Sequence, residues 1–110
     1  MTPNPISKKT YCFDMDGVIC YIGKPDHYAD RFPIIETINI MSELIEAGHS
    51  VIIHTGRHIL EMETTQKWLN KHRVPYTLLQ FGKPVADLYI DDKALRIEEV
   101  WTPEALKYLP

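Results

Sequence analysis

Short apolar runs alternate with longer amphipathic stretches along this chain, and their order predicts its elements. Apolar runs rich in β-branched and aromatic residues predict strands at residues 10–14, 49–55, 76–80 and 88–90. Apolar side chains recur at three- and four-residue steps after residue 33 and again over 59–72, which is typical of helices with one buried face.

The helix boundaries have recognisable signals. Pro33 suits the first position of a helix, and Gly48 suits the left-handed residue just after its end. Val74 before Pro75 ends the second helix. Thr102-Pro103-Glu104 predicts the start of a last short helix. Residues 18–32 have no regular pattern, which predicts an ordered loop or flap.

Strands that alternate with helices predict an α/β fold. We expect a single Rossmann-like domain over residues 1–110, with an open, mostly parallel sheet and helices on both faces. Residues 1–9 form a polar N-terminal tail in this interpretation, and residues 18–32 form the flap. A chain of 110 residues has room for no second domain.

Composition narrows the classes of partner. The net charge of −3 argues against nucleic acid, because binding to its backbone relies on clustered Lys and Arg. No apolar run is long enough to span a bilayer, and the N-terminus lacks the apolar core of a signal peptide, so we expect no membrane contact and a cytoplasmic protein. Cys12 and Cys20 form no CxxC motif, and we expect both to be reduced.

Polar residues fall where the predicted strands end. Ligand sites of open parallel sheets lie at the carboxyl ends of the strands. Asp14, Thr55, Asp91 and Asp92 follow strands, and Lys83 lies in a loop between two of them. Carboxylates gathered at one edge suit Mg²⁺, and a divalent ion with a lysine and a hydroxyl suits a phosphoryl group. The sequence therefore predicts a magnesium and phosphate site.

These segments resemble the motifs of the haloacid dehalogenase-like phosphohydrolases. The sequence FDMDGV at 13–18 is similar to their DxDx(T/V) motif, and Thr55 is similar to the hydroxyl residue of their second motif. Lys83 resembles the lysine of the third motif, and YIDD at 89–92 resembles the acidic pair of the fourth. The resemblance extends from residue 11 to residue 93 and implies a capless member of this family.

The resemblance implies a two-step phosphatase mechanism. Asp14 would attack phosphorus and form an aspartyl-phosphate, while Asp16 would protonate the leaving oxygen and later take a proton from water. The expected substrate-binding residues are Thr55, Gly56, Arg57 and Lys83. The expected Mg²⁺ ligands are Asp14, Asp16, Asp91 and Asp92.

One departure from the family pattern concerns Lys83, which lies only eight residues before Asp91. If residues 76–80 form a parallel edge strand, the few residues after it can barely carry the chain back, at ~3.5 Å each. Arg57 and Lys93 are alternative cations for the phosphate.

Several functions stay open at this point. Similarity to small members associated with capsule and surface-polysaccharide synthesis implies a sugar phosphate or related small metabolite, and a second copy of the chain could complete the open site. The spacing of lysine and acidic pair favours a nucleotidase instead, and a polynucleotide end-phosphatase is a third reading. A phospho-receiver domain orders these residues differently along the chain. A non-catalytic domain that binds a phosphorylated ligand is the remaining class.

Overall fold

The structure is a computed structural model that describes residues 8–101. It contains three strands, three α-helices and a single 3₁₀ turn. In chain order these are β1 (Thr10–Phe13), α1 (Ile35–Glu46), β2 (Ser50–Thr55), the 3₁₀ turn (Ile59–Glu61), α2 (Met62–Lys71), β3 (Leu78–Phe81) and α3 (Ile97–Val100).

The three strands form one open sheet in the order β1-β2-β3, and both pairings are parallel. Thr10 pairs with Ser50, and Ile52 pairs with Leu78. The predicted α/β, Rossmann-like fold with a parallel sheet is therefore confirmed. Parallel strands have their carboxyl ends at the same edge of the sheet, so the loops after β1, β2 and β3 meet there.

Burial explains why these segments form these elements. In β2, Val51, Ile53 and Thr55 are buried while the residues between them are only partly so, which is the period of two expected for a strand. In α1 the buried positions are Thr37, Ile38, Met41 and Leu44. In α2 they are Thr65, Trp68 and Leu69. These faces enclose one hydrophobic core.

Both long helices end in the same hydrogen-bonded cap. After α1, the N–H of His49 donates to the carbonyl of Leu44 at 3.0 Å, and Gly48 between them has φ = 93°. After α2, the N–H of Val74 donates to the carbonyl of Leu69 at 3.0 Å, and Arg73 has φ = 53°. This is the Schellman cap, which needs a left-handed residue just past the helix.

The predicted fourth strand is wrong. Residues 88–90 lie in a segment, 82–96, that has neither helix nor strand, and Ile90 is 93% exposed. A parallel strand needs a crossover connection of a dozen or more residues, and far fewer separate Phe81 from Leu88. The chain therefore leaves β3 without forming a fourth strand.

One further difference lies near the C-terminus. The helix α3 occupies Ile97–Val100, a segment for which the sequence pattern predicts no element. The helix predicted to begin at Thr102 lies outside the described residues, as does most of the predicted N-terminal tail. Within residues 8–101, no helix combines the length and apolar character needed to cross a membrane.

Candidate active site

Side chains from all three strand ends meet at one cleft. Asp14 directly follows β1, and Gly56 and Arg57 directly follow β2. A single residue separates Lys83 from the end of β3. The cleft has a volume of about 240 Å³ and is lined by Asp14, Asp16, Tyr28, Gly56, Arg57, Lys83, Val85 and Tyr89. Five of the eight residues predicted from the sequence are therefore brought together here.

Asp14 is held by two contacts. Its Oδ1 accepts a hydrogen bond from the N–H of Met15 at 2.7 Å, and its Oδ2 lies 3.0 Å from Nζ of Lys83. The backbone of Lys83 is fixed in turn, because its N–H donates to the carbonyl of Thr55 at 3.1 Å. This carboxylate is thus oriented by its own backbone on one side and by a cation on the other.

Gly56 permits the approach that places Lys83. A Cβ added at Gly56 would lie 3.2 Å from the carbonyl oxygen of Lys83 and 3.3 Å from a methyl group of Val85. Both distances are tighter than ordinary van der Waals contact. A side chain at residue 56 would therefore require residues 83–85 to move away by a few tenths of an ångström.

Asp16 is paired with Arg57 through two hydrogen bonds. Nε of Arg57 donates to Oδ2 at 2.9 Å, and Nη2 donates to Oδ1 at 2.8 Å. The remaining Nη1 donates to Oγ1 of Thr65 at 3.0 Å, and the Arg57 side chain is almost fully buried. All three guanidinium nitrogens therefore have partners, so Arg57 contributes charge to the cleft while most of its N–H donors are used.

This pairing shifts the protonation of the groups around it. Burial opposes the ionisation of Asp16, but the hydrogen bonds and charge of Arg57, helped by Arg31, outweigh it and lower the pKa of Asp16. Burial, together with the nearby Asp16 charge, raises the pKa of Cys20 to about 12. Cys20 is accordingly a neutral thiol, unsuited to act as a nucleophile.

The flap is organised around a buried arginine. Arg31 donates to the carbonyls of His27, Tyr21 and Lys24 at 3.2, 3.4 and 3.1 Å, and its Nη1 lies 3.5 Å from Oδ1 of Asp16. In the structure, Arg31 is 7% exposed and holds the loop together from inside.

Tyr28 is the flap residue that lines the cleft. Its ring centroid lies 4.2 Å from the guanidinium carbon of Arg57 and 5.1 Å from that of Arg31. The flap is also tied to the core, because Nε1 of Trp68 donates to the carbonyl of Arg31 at 2.8 Å. Tyr89, from segment 82–96, also lines the cleft. Nζ of Lys83 lies over its ring, 4.3 Å from the ring centroid.

Thr55 lies below the cleft and is fully buried. Its Oγ1 accepts a hydrogen bond from the N–H of Arg57 at 3.1 Å. The expected phosphate contact is thus not one of the cleft-lining side chains, and the hydroxyl instead shapes the turn that presents Gly56 and Arg57. A threonine at a strand end gives no signal in the sequence that separates these two roles.

Asp91 and Asp92, which were expected to converge on Asp14, are not among the residues that line the cleft. Both acids are exposed, and Oδ1 of Asp91 accepts from the N–H of Lys93 at 2.8 Å in a local turn. The reason is the missing fourth strand, which was to carry them to the rim beside β1. Lys93, the alternative cation, is likewise exposed and does not line the cleft.

The position of Asp91 and Asp92 also affects whether the site can hold Mg²⁺. Within residues 8–101, no three His, Cys, Asp or Glu side chains are grouped so that they could hold a metal ion. Asp14 is paired with Lys83, and Asp16 with Arg57. The four expected ligands do not form a magnesium site in this arrangement.

The charges around the cleft favour an anion. Arg31, Arg57 and Lys83 are three cations, and they face the two carboxylates Asp14 and Asp16. One positive charge is left over among these five side chains. A partly desolvated excess of positive charge attracts phosphate or carboxylate groups.

The parallel sheet and its rim cleft place the chain among Rossmann-like α/β proteins. No protein-family model matches it, and no curated protein does. The solved structure of a structural genomics target from Vibrio cholerae is 28% identical, with a TM-score of 0.77, and the match covers 92% of this chain and 95% of that one.

Two further solved structures share the fold over part of a longer chain. A chain of the Pnkp1/Rnl/Hen1 complex is 21% identical with a TM-score of 0.61, and a chain of the Pnkp1/Rnl/Hen1 RNA repair complex is 20% identical with a TM-score of 0.62. They match 92% and 93% of this chain, which spans only 36% and 32% of theirs. At identities of 21% and 20%, these two likenesses show a shared fold and nothing beyond it.

Proposed function

We propose that this protein is a phosphatase that hydrolyses phosphate monoesters through a phosphoryl group carried on Asp14, as a capless member of the haloacid dehalogenase-like phosphohydrolases. The observation that carries the proposal is the pairing of Asp14 with Lys83 in the cleft at the strand ends. The carboxylate is a nucleophile fixed by the N–H of Met15, and the lysine is a cation placed to receive the oxygens of a phosphoryl group.

In the first step, Oδ2 of Asp14 attacks phosphorus, the bond to the leaving oxygen breaks, and an acyl phosphate forms. Asp14 loses its negative charge as this bond forms, so Lys83 is released to the phosphoryl oxygens. Lys83 suits this role better than Arg57, most of whose N–H donors are already engaged. The positive charge of Arg57 still favours the dianion.

In the second step, water attacks the acyl phosphate and releases inorganic phosphate. Asp16 lines the cleft as a carboxylate, and this is the group that would accept the proton of that water. Its other expected role, protonation of the leaving oxygen, requires the Asp16–Arg57 pair to open. The alkoxide of a sugar phosphate or nucleotide needs this proton, which Asp16 must first take up, whereas the aryl oxide of an aryl phosphate departs as a stable anion without it.

A Mg²⁺ requirement stays a prediction from the family resemblance, because the described donors do not form its site. A magnesium ion would supply charge neutralisation to the phosphoryl oxygens. We expect a chelator to stop turnover and added Mg²⁺ to restore it, as measured by phosphate release. Unchanged turnover after chelation would contradict the requirement without touching the role of Asp14.

The substrate proposed from the sequence resemblance is a small sugar phosphate or related metabolite, with a nucleotide as the second candidate. The openness of the cleft, whose lining residues Val85 and Tyr89 are 89% and 49% exposed, is compatible with a second copy of the chain completing it. The fold likeness to a chain of an RNA repair complex makes a polynucleotide end-phosphatase a third candidate.

The test of the proposal is Asp14→Asn, assayed by hydrolysis of an aryl phosphate. We expect kcat to fall at least about 10³-fold, because the amide is no nucleophile, with the fold retained by circular dichroism. Acid-quenched wild-type protein should carry one phosphoryl group on Asp14 by mass spectrometry, and the variant should carry none.

Glu63→Gln is the matched control, since it converts a carboxylate on the surface of α2 that is 81% exposed. It should leave kcat within twofold of the wild type. Turnover that survives in Asp14→Asn would remove Asp14 from the proposed role. Phosphate binding without any turnover in the wild type would favour the non-catalytic phospho-ligand domain instead.

A further inference from the structure

We infer that the cleft holds the leaving group against tyrosine rings, so that the substrate is a free nucleotide or similar phosphate monoester with a planar aromatic ring, in preference to a sugar phosphate. This inference rests on the proposed phosphatase function and concerns the substrate class of the same cleft. It follows from the side chains that line the cleft beyond Asp14 and Lys83.

The cleft has a phosphate side and a leaving-group side. Asp14 and Lys83 form the phosphate side. The remaining lining, apart from the Asp16–Arg57 pair, consists of Tyr28, Tyr89, Val85 and Gly56. These residues offer two aromatic rings, one aliphatic side chain and a surface with no side chain at all, which is a lining for a flat apolar group.

Tyr89 offers a ligand its aromatic ring, because its hydroxyl group is already engaged. Its hydroxyl already donates to the carbonyl of Pro84, and Nζ of Lys83 lies 4.3 Å from the ring centroid. These two contacts fix the ring beside the cation that would hold the phosphate. A ring has two faces, and Tyr89 is 49% exposed, so surface is left for a ligand to stack on.

Tyr28 is fixed in the same way on the flap. The guanidinium of Arg57, 4.2 Å from the ring centroid, is itself held by Asp16 and Thr65. The ring is therefore preorganised and loses little conformational freedom when a ligand binds. Stacking of a nucleobase on such a ring is sequence-tolerant and contributes about a factor of ten or more to binding.

A sugar ring would find few polar partners in this cleft. Among the lining residues that the structure describes there is no Asn, Gln, Ser or Thr. Both carboxylates already accept hydrogen bonds or ion pairs, Asp14 from Lys83 and Asp16 from Arg57. A site that recognises hydroxyl groups is built from such donors and acceptors, so this lining gives a hexose no selective hold.

The net charge of the chain favours a free nucleotide over the end of a nucleic acid as the substrate. At −3 the protein repels a polyanion, whereas a mononucleotide brings only one phosphate, which Lys83 can contact. We therefore assign the site to a free nucleotide.

The experiment compares kcat/KM for a nucleoside 5′-monophosphate, a hexose 6-phosphate and glycerol phosphate, for the wild type and Tyr89→Leu. We expect the wild type to prefer the nucleotide over the hexose phosphate by at least about tenfold. In Tyr89→Leu the ratio of nucleotide to glycerol phosphate should fall about tenfold, and Tyr89→Phe should restore it because the ring returns.

Tyr21→Leu is the matched control, since Tyr21 is an exposed flap tyrosine outside the cleft lining. Its substrate ratios should equal those of the wild type. A wild-type preference for the hexose phosphate, or a ratio that Tyr89→Leu leaves unchanged, would overturn the aromatic assignment. A phosphorylated oligonucleotide used more than tenfold better than the mononucleotide would overturn the assignment to a free nucleotide.

Equilibrium binding of the same compounds to Asp14→Asn keeps the two proposals apart. If the wild type turns over none of the compounds, the proposed phosphatase function fails. The aromatic assignment is then judged by binding alone: a nucleotide bound at least about tenfold tighter than the hexose phosphate supports it, and equal binding overturns it.

Discussion

The Asp16–Arg57 pair shows that the sequence can predict where a residue lies without predicting which side chain it contacts. Both residues follow strands, so their place at the rim was predictable from the pattern of apolar runs. Their mutual contact was not, because it depends on Thr65 and on a flap that Arg31 holds from inside. Such partners are far apart in the chain, and the choice among several nearby charges is made by packing.

The pair predicts a pH-dependent difference in stability. The pKa of Asp16 is lowered below its ordinary 3.8 in the folded protein, so its stabilising effect is complete above that value and is lost as pH falls through the folded-state pKa. Asp16→Asn should therefore be less stable than the wild type at pH 7, and the difference should shrink below about pH 4.

Urea unfolding at a series of pH values measures this difference. Asp30→Asn, an exposed aspartate of the same flap, reports the effect of removing a carboxylate outside the pair. A wild-type advantage over Asp16→Asn that stays constant from pH 7 to pH 3 would contradict the lowered pKa.

At the scale of elements, the sequence pattern predicted well those elements that depend mainly on residues close by in the chain. Helix α1 and strand β2 lie within two residues of their predicted bounds, because a regular apolar period and a terminal glycine suffice to define them. The run at 88–90 has the same composition as a strand but has no strand beside it. A strand exists only with a neighbour, and whether the chain can reach one depends on the connection before it.

The cap of α2 predicts a stabilising substitution. Arg73 occupies the left-handed position at φ = 53°, where the corresponding residue after α1 is Gly48. A left-handed conformation costs an ordinary residue roughly 1–2 kcal/mol, part of which is offset because glycine is freer in the unfolded chain. We expect Arg73→Gly to raise the free energy of unfolding by about 0.5–1 kcal/mol.

Thermal and urea unfolding of Arg73→Gly and Arg73→Ala separate the backbone effect from loss of the side chain. Arg73 is exposed, so removing its side chain alone should change little. A gain shared equally by the alanine variant would show that the conformation at residue 73 is not the cause.

At the scale of the whole molecule, the fold is a three-stranded sheet whose last strand ends at the rim. Within residues 82–96, Val85 and Tyr89 line the cleft, and Leu88 and Ile90 are exposed. The predicted four-stranded sheet would instead have buried the same apolar run. The site is affected by this difference, because Asp91 and Asp92 follow the run directly.

The two topologies differ most sharply in what Ile90 contributes to stability. Ile90 is 93% exposed, whereas Ile53 in β2 is fully buried. Ile53→Ser should cost about 3–5 kcal/mol, from lost burial, the cavity and a buried hydroxyl, while Ile90→Ser should stay within about 0.5 kcal/mol of the wild type. Urea unfolding of both variants makes the comparison with the same chemical change at each position. Equal losses would mean that residues 88–90 pack as a strand, and the acids after them would then belong beside Asp14.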